Sequence, residues 1–184
     1  MLLERIQQNA SLLAEHPAYR CGEDSLTYSQ LWNAASLLAA QLQDGAGAVA
    51  LIGTKQPMMA VGMLGSLLAG RPYLPLSSDQ PKERLQRILS QANPGTVIDC
   101  REAKAEQWLK REPATQNFLI PGDPSRDAYW LFTSGSSGSP KGVRISLAAL
   151  ENFVRWFCAL PAIRSRKKPG AALNQAQFSF DLSV

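Results

Sequence analysis

The chain has 184 residues, 45% of them hydrophobic and 18% charged, and a formal net charge of +4. That length and balance suit one globular unit with a hydrophobic core and exclude an intrinsically disordered chain. Three scattered cysteines (Cys21, Cys100, Cys158) and a single histidine, His16, argue against a disulfide framework, a zinc knuckle, a histidine metal site and a Ser-His-Asp triad, and they suit a reducing cytoplasm.

At the start of the chain, Glu4 and Arg5 follow two leucines and leave no apolar core for a signal peptide. A first helix ends near His16 and Pro17. Leu26-Thr27-Tyr28-Ser29-Gln30-Leu31 predicts a second helix start, with Thr27 as cap, Gln30 reaching back, and Leu26 and Leu31 as a staple. Leu31, Ala35, Leu38 and Leu42 then share one face until Gly45. The unbroken apolar run Val49-Ala50-Leu51-Ile52 predicts a parallel strand covered on both faces.

Pro57 suits a first helical turn, and Met58 to Ala69 is apolar on nearly every side, too short to span a bilayer. Gly62 and Gly65 should let this buried helix pack closely. Tyr73-Leu74-Pro75-Leu76 reads as a strand placed at a sheet edge, because Pro75 has no amide to donate. Pro81 to Gln91 predicts an amphipathic helix with Leu85, Ile88 and Leu89 inward. Thr96-Val97-Ile98 and Tyr129-Trp130-Leu131-Phe132 are further strand candidates. Ser146 should cap a last helix, stapled by Ile145 and Leu150 and burying Phe153, Val154 and Phe157. The short basic run Arg164, Arg166, Lys167 and Lys168 reads as a solvated loop and not a nucleic-acid patch. Alternating strands and helices imply an α/β fold with a largely parallel sheet flanked by helices.

The chemistry concentrates between Leu131 and Val143, where five hydroxyls, three glycines and one lysine fall in one turn-forming stretch. Glycines let backbone amides approach a polyphosphate, hydroxyls donate short hydrogen bonds, and a lysine offsets charge. The segment is not a Walker loop, since Pro140 precedes Lys141 and Gly142 follows it. Nor is it a nucleophile elbow, for no G-x-S-x-G occurs. A flexible Gly/Ser linker is the bland alternative. The flanking strand-like pieces and the closing Pro-Lys-Gly-Val favour phosphate binding.

Thr133-Ser134-Gly135-Ser136-Ser137-Gly138-Ser139-Pro140-Lys141-Gly142 resembles the T-S-G-S-T-G-x-P-K-G signature of the adenylate-forming superfamily: acyl-CoA synthetases, luciferase and peptide-synthetase adenylation domains. Ser137 departs from the usual threonine but keeps the hydroxyl. Leu26 to Leu31 resembles that family's L-T-Y-x-E-L, Leu68 to Leu76 its L-K-A-G-x-A-Y-V-P-L, and Pro81 to Leu85 its P-x-x-R-L. Phe180-Asp181-Leu182-Ser183 resembles the F-D-x-S of amino-acid-activating members, and Asn174 to Val184 is most similar to D-alanine–carrier-protein ligases.

The resemblance implies that residues 1–184 form part of the large N-terminal domain of such an enzyme. It implies ATP with Mg2+ as cosubstrate, its phosphates held by Thr133, Ser134, Gly135, Ser136, Ser137, Gly138 and Lys141. Asp181 would take the substrate's α-ammonium group, and a phosphopantetheinylated carrier protein would receive the activated amino acid. No dedicated metal ligands, no nucleic acid and no membrane insertion are expected. The adenine pocket, the ribose-binding aspartate and the C-terminal catalytic lysine of the family have no counterpart in these residues, so turnover by residues 1–184 alone is not expected. Two other readings stay open: a non-catalytic nucleotide- or protein-binding remnant, and part of another peptide-synthetase adenylation domain.

Overall fold

In the computed structural model, residues 2–103, 123–134, 139–165 and 170–179 are described. The elements in order are α1 (Leu2–Leu12), β1 (Pro17–Cys21), β2 (Asp24–Thr27), α2 (Tyr28–Leu42), β3 (Val49–Gly53), α3 (Pro57–Leu68), β4 (Tyr73–Ser77), α4 (Lys82–Ala92), β5 (Thr96–Asp99), β6 (Asp127–Ser134), β7 (Pro140–Ser146), α5 (Leu147–Ala159) and α6 (Pro161–Arg164).

β1 and β2 form a separate antiparallel hairpin turning at Gly22 (φ +60°) and Glu23. The five other strands make one sheet in the order β5-β3-β4-β6-β7. Pairing is parallel except between β6 and β7, which form an antiparallel hairpin. This is the mostly parallel, helix-flanked α/β architecture that the sequence implies.

Chain order explains the two layers of helices. From β3 the chain steps one way to β4, then from β4 back past β3 to β5. Right-handed crossovers in opposite directions must lie on opposite faces of a sheet. α3 accordingly packs with α1, α2 and α5 over Val49, Leu51, Tyr73, Tyr129 and Leu131. α4 covers the other face, where Leu85, Ile88 and Leu89 meet Ala50, Ile52, Leu74, Leu76, Trp130 and Phe132. All five residues of β3 are buried, as expected for a strand covered on both sides.

Local expectations hold at several elements. Thr27 and Gln30 form a reciprocal capping box: Gln30 N–H donates to Thr27 Oγ1 at 3.2 Å, and Thr27 N–H donates to Gln30 Oε1 at 2.9 Å. Pro57 opens α3, and nine of its twelve residues are buried. A Cβ at Gly62 would come within 2.7 Å of Leu51 Cδ2, and one at Gly65 within 3.0 Å of Ala35 O. Those two glycines therefore set how closely α3 approaches the sheet and α2.

Two expectations fail. Pro75 does not put β4 at an edge, since β4 lies between β3 and β6. Val49 N–H donates to Pro72 O, so by alternation residues 72, 74 and 76 bond towards β3 and Pro75 faces β6. On that side the ladder has the single pair Tyr73↔Tyr129. The missing amide thus falls where pairing has already stopped. In α5, Leu147 and Leu150 are buried and Val154 packs partly against the core, but Phe153 and Phe157 are 50% and 39% exposed. The helix is apolar on more sides than one sheet can cover. The exposed rings pack on each other instead, Phe153 with Trp156 at 5.7 Å and with Phe157 at 6.4 Å between centroids.

Candidate functional site

β3, β4, β5 and β6 all end on one side of the molecule, the side where open α/β sheets take ligands. Here the β6–β7 hairpin reaches its tip. Thr133 pairs with Lys141 and Ser134 with Pro140. β4 ends at Ser77 and β6 runs parallel to it on to Ser134, four and five residues past the Tyr73↔Tyr129 pair. Thr133, Ser134 and Lys141 are exposed, whereas Pro140 is buried. The predicted phosphate contacts Gly135, Ser136, Ser137 and Gly138 lie outside the described residues, as does Asp181.

The hairpin presents two chemically different faces at this tip. Directly opposed residues of an antiparallel pair share a face, and successive residues alternate. Thr133 and Lys141 are therefore on the face of Leu131, Tyr129 and Ile145, which packs on the α3 and α5 layer. Ser134 and Pro140 are on the face of Phe132 and Trp130, which packs on α4. Gly142 belongs to this second face, and a Cβ there would meet the Phe132 ring at 3.0 Å. Towards the other end of the hairpin, Arg144 donates from Nε to Asp127 Oδ2 at 2.5 Å and lies 5.6 Å from the centre of the Trp130 ring. Trp130 Nε1 donates to the same carboxylate oxygen at 2.7 Å. These contacts pin the register of the two strands that carry the loop.

A second segment reaches the same end of the sheet. Lys55 follows β3, and its ammonium donates to the Asn174 carbonyl at 2.5 Å. The Tyr19 hydroxyl donates to the Lys55 carbonyl at 3.0 Å, and the buried Phe178 ring lies 6.4 Å from that of Tyr19. Burial, with Cys21 second, pushes the Tyr19 phenol up to about 12. The stretch leading into Phe180-Asp181 is thus anchored by the β1–β2 hairpin and the turn after β3. Neither anchor has a sequence motif, because both depend on pairings more than a hundred residues apart.

The anchor is testable. Replacing Lys55 by Met should speed amide exchange across residues 174–179 by roughly tenfold, the scale of one lost hydrogen bond to a charged group, with the melting temperature almost unmoved. Unchanged exchange over that stretch would show that the ammonium holds nothing in place.

Among the described residues, no group of three or more His, Cys, Asp and Glu could cage a metal ion. The donor set of hydroxyls and a lysine suits phosphate oxygens, and a magnesium ion arriving with a nucleotide keeps mostly phosphate and water ligands. Among the described residues, no helix is long and apolar enough to cross a membrane.

The sequence pattern of the AMP-binding enzymes matches residues 6–184. The chain belongs to the AMP-binding enzyme family. It is 33% identical over 192 aligned residues to the D-alanine–D-alanyl carrier protein ligases of Staphylococcus aureus strains JH9 and Newman. All of this chain is covered by those alignments, against 39% of each ligase. The fold is also that of the nonribosomal peptide synthetase FmoA3, with a TM-score of 0.81 at 24% identity over 98% of this chain and 20% of that one. The N-terminal subdomain of Klebsiella oxytoca NpsA, in complex with 3-hydroxyanthranilyl-AMSN, gives a TM-score of 0.78 at 23% identity, covering 97% of this chain and 48% of that one.

Proposed function

We propose that residues 1–184 supply the triphosphate-gripping part of an ATP-dependent ligase. It activates an amino acid, D-alanine, as its adenylate for a carrier-protein thiol. The observation that carries the reading is the exposed trio Thr133, Ser134 and Lys141 at the tip of the β6–β7 hairpin, beside the carboxyl ends of the parallel strands. Membership of the AMP-binding enzymes supports adenylate chemistry, and the relatives in S. aureus support D-alanine and a carrier protein. Residues 1–184 form part of the large N-terminal domain, and Asp181 takes the α-ammonium group as an ion-pairing carboxylate.

In this reaction a substrate carboxylate oxygen bonds to the α-phosphorus of ATP. The bond from that phosphorus to the α–β bridging oxygen breaks, and the electron pair leaves with pyrophosphate. No proton moves in this step. The protein's share is positioning and charge neutralisation. Thr133 and Ser134 donate hydroxyl hydrogen bonds, Lys141 places a cation beside the β- and γ-phosphates, and Gly135, Ser136, Ser137 and Gly138 complete the wrap. Magnesium neutralises further phosphate charge. In the second step the carrier thiol gives its proton to solvent and its sulfur bonds to the acyl carbon, while the bond from that carbon to the phosphate oxygen breaks and the electron pair leaves with AMP.

Calorimetric titration with ATP–magnesium tests the reading. Weak but saturable binding is expected for the chain, and Lys141→Ala should weaken it about tenfold, the scale of one charge-assisted contact. Absence of saturable heat with the unaltered chain would rule the reading out. Amino-acid-dependent ATP–pyrophosphate exchange by residues 1–184 alone is expected to stay at background.

A further inference from the structure

On the α4 side of the hairpin tip there is a cavity of about 220 Å³ lined by Pro81, Glu83, Arg84, Arg87 and Pro140. It is far larger than the roughly 30 Å³ that a liquid water occupies, so it has room for a polyatomic ligand. Its walls come from two elements brought together by the fold alone: the first turns of α4 and the first residue of β7. Arg84 and Arg87 sit three residues apart and so share a helix face. Gln80 Oε1 accepts from Arg84 Nε at 3.2 Å, which orients that guanidinium plane. Pro140 contributes an apolar wall with no amide. Two guanidinium groups against the one Glu83 carboxylate leave the lining with a net positive charge.

The alternation of the hairpin puts this cavity on the face opposite Lys141. Pro140 and Ser134 look towards α4, whereas Lys141 and Thr133 look towards the α3 layer. The tip therefore has a lysine on one flank and a paired-arginine cavity on the other. Guanidinium groups make forked, bidentate contacts with phosphate oxygens that a point-charge ammonium does not. A ligand matched to two neighbouring guanidinium groups is one with two linked phosphoryl groups.

We propose that the Arg84–Arg87 cavity is a diphosphate subsite that receives inorganic pyrophosphate as it separates from the α-phosphorus, on the flank of the loop away from Lys141. The assignment rests on the triphosphate reading of the hairpin tip. Cleavage leaves the electron pair on the former bridging oxygen. The leaving diphosphate thus carries more negative charge than it did within ATP, and a cationic cavity beside the loop stabilises that product.

Inorganic pyrophosphate, without nucleotide, is the direct probe, with orthophosphate as the comparison. The unaltered chain should bind pyrophosphate saturably and orthophosphate at least tenfold more weakly. Arg84→Gln with Arg87→Gln should cut pyrophosphate affinity tenfold or more while changing ATP–magnesium affinity less than threefold. Lys141→Ala should weaken ATP–magnesium about tenfold, and in that background the arginine substitutions should still cut the remaining pyrophosphate affinity tenfold or more. Arg87 is exposed, so Arg87→Gln alone tests the same point without risk to folding and should lose about half of the effect on a logarithmic scale. Failure of the unaltered chain to bind pyrophosphate, or equal binding by the arginine variants, overturns the subsite whatever ATP does. Pyrophosphate binding that depends on the arginines, with no ATP binding at all, keeps the subsite and removes the triphosphate reading instead.

Discussion

Gly95→Ala should lower the melting temperature by roughly 8–16 °C, the consequence of about 4 kcal/mol lost from a chain of this size. The cause is a crossing of backbone on backbone. A Cβ on Gly95 would lie 1.8 Å from Ala46 O and 2.9 Å from Ala46 C, distances no packed atom tolerates. Ala46 cannot retreat cheaply, because its carbonyl accepts from Arg71 Nη2 at 2.7 Å. The same guanidinium donates from Nε to Gly47 O at 2.9 Å and from Nη1 to Leu42 O at 3.2 Å. One buried arginine thus ties down the whole connection from α2 into β3, and Gly95 on the way into β5 slides beneath it. Gly47, at φ +72°, supplies the backbone bend, and a Cβ there would also come within 3.3 Å of Gly95 N. Moving either chain would leave buried carbonyls without donors, a further cost of about 1–3 kcal/mol for each one. Gly22→Ala is the matched control. It has a positive φ but nothing within 4 Å, so only the backbone penalty of about 1–2 kcal/mol applies. Gly95 itself has no positive φ, so equal melting shifts for the two variants would show that the crossing costs no more than a bare backbone penalty and that Ala46 yields readily.

That clamp was not legible in the sequence, and the reason is general. Arg71 falls at the unspecified position of the Leu68 to Leu76 motif, whose neighbours mark the end of one helix and the start of a strand but say nothing of what the guanidinium holds. Its four carbonyl partners between Leu42 and Ala48 come together only once β3 and β4 are paired. What was legible depends on contacts within a few residues: the Thr27–Gln30 box, the Pro57 helix start and the buried run of β3. Pro75 misled because edge placement is only one way to accommodate a missing amide; a short ladder to β6 is another. The β1–β2 hairpin went unseen since its turn, Gly22-Glu23, is not one of the strong two-residue turn pairs.

The candidate site divides along the same line. The expectation of phosphate binding between Thr133 and Lys141 comes from local composition, and the hairpin does bring Thr133 opposite Lys141. The arginines of α4 belong to a segment that reads as an amphipathic helix and, at Pro81 to Leu85, as a P-x-x-R-L resemblance, neither of which says that it lies beside the hairpin. They reach the loop's flank because the β4→β5 crossover must run on the face opposite α3. The partition of the tip into a lysine face and an arginine face is therefore a product of topology and strand alternation together, which no local pattern encodes.

Topology also sets the chemistry of Cys100, which follows β5 and donates its backbone N–H to Ile52 O at 2.8 Å. The side chain is 2% exposed. Burial, with the negative Asp99 second, pushes its thiol from 9.0 up to about 12. Between those values the folded chain holds a proton that the unfolded chain has released. Unfolding free energy therefore falls as pH rises, by up to about 1.4 kcal/mol per pH unit for this group. The contribution is intact below about pH 9 and is lost by about pH 12, a total approaching 4 kcal/mol at the upper limit. The Tyr19 phenol, also raised to about 12, acts in the same direction over the upper part of that range. Urea unfolding of the reduced protein across this interval should show steep alkaline loss. Cys100→Ala, less stable at neutral pH through its lost packing, should close the gap with the unaltered chain as pH rises. A stability difference that stays constant up to about pH 11 would mean that the thiol ionises as readily in the folded protein as in the unfolded one, and that water reaches the end of β5.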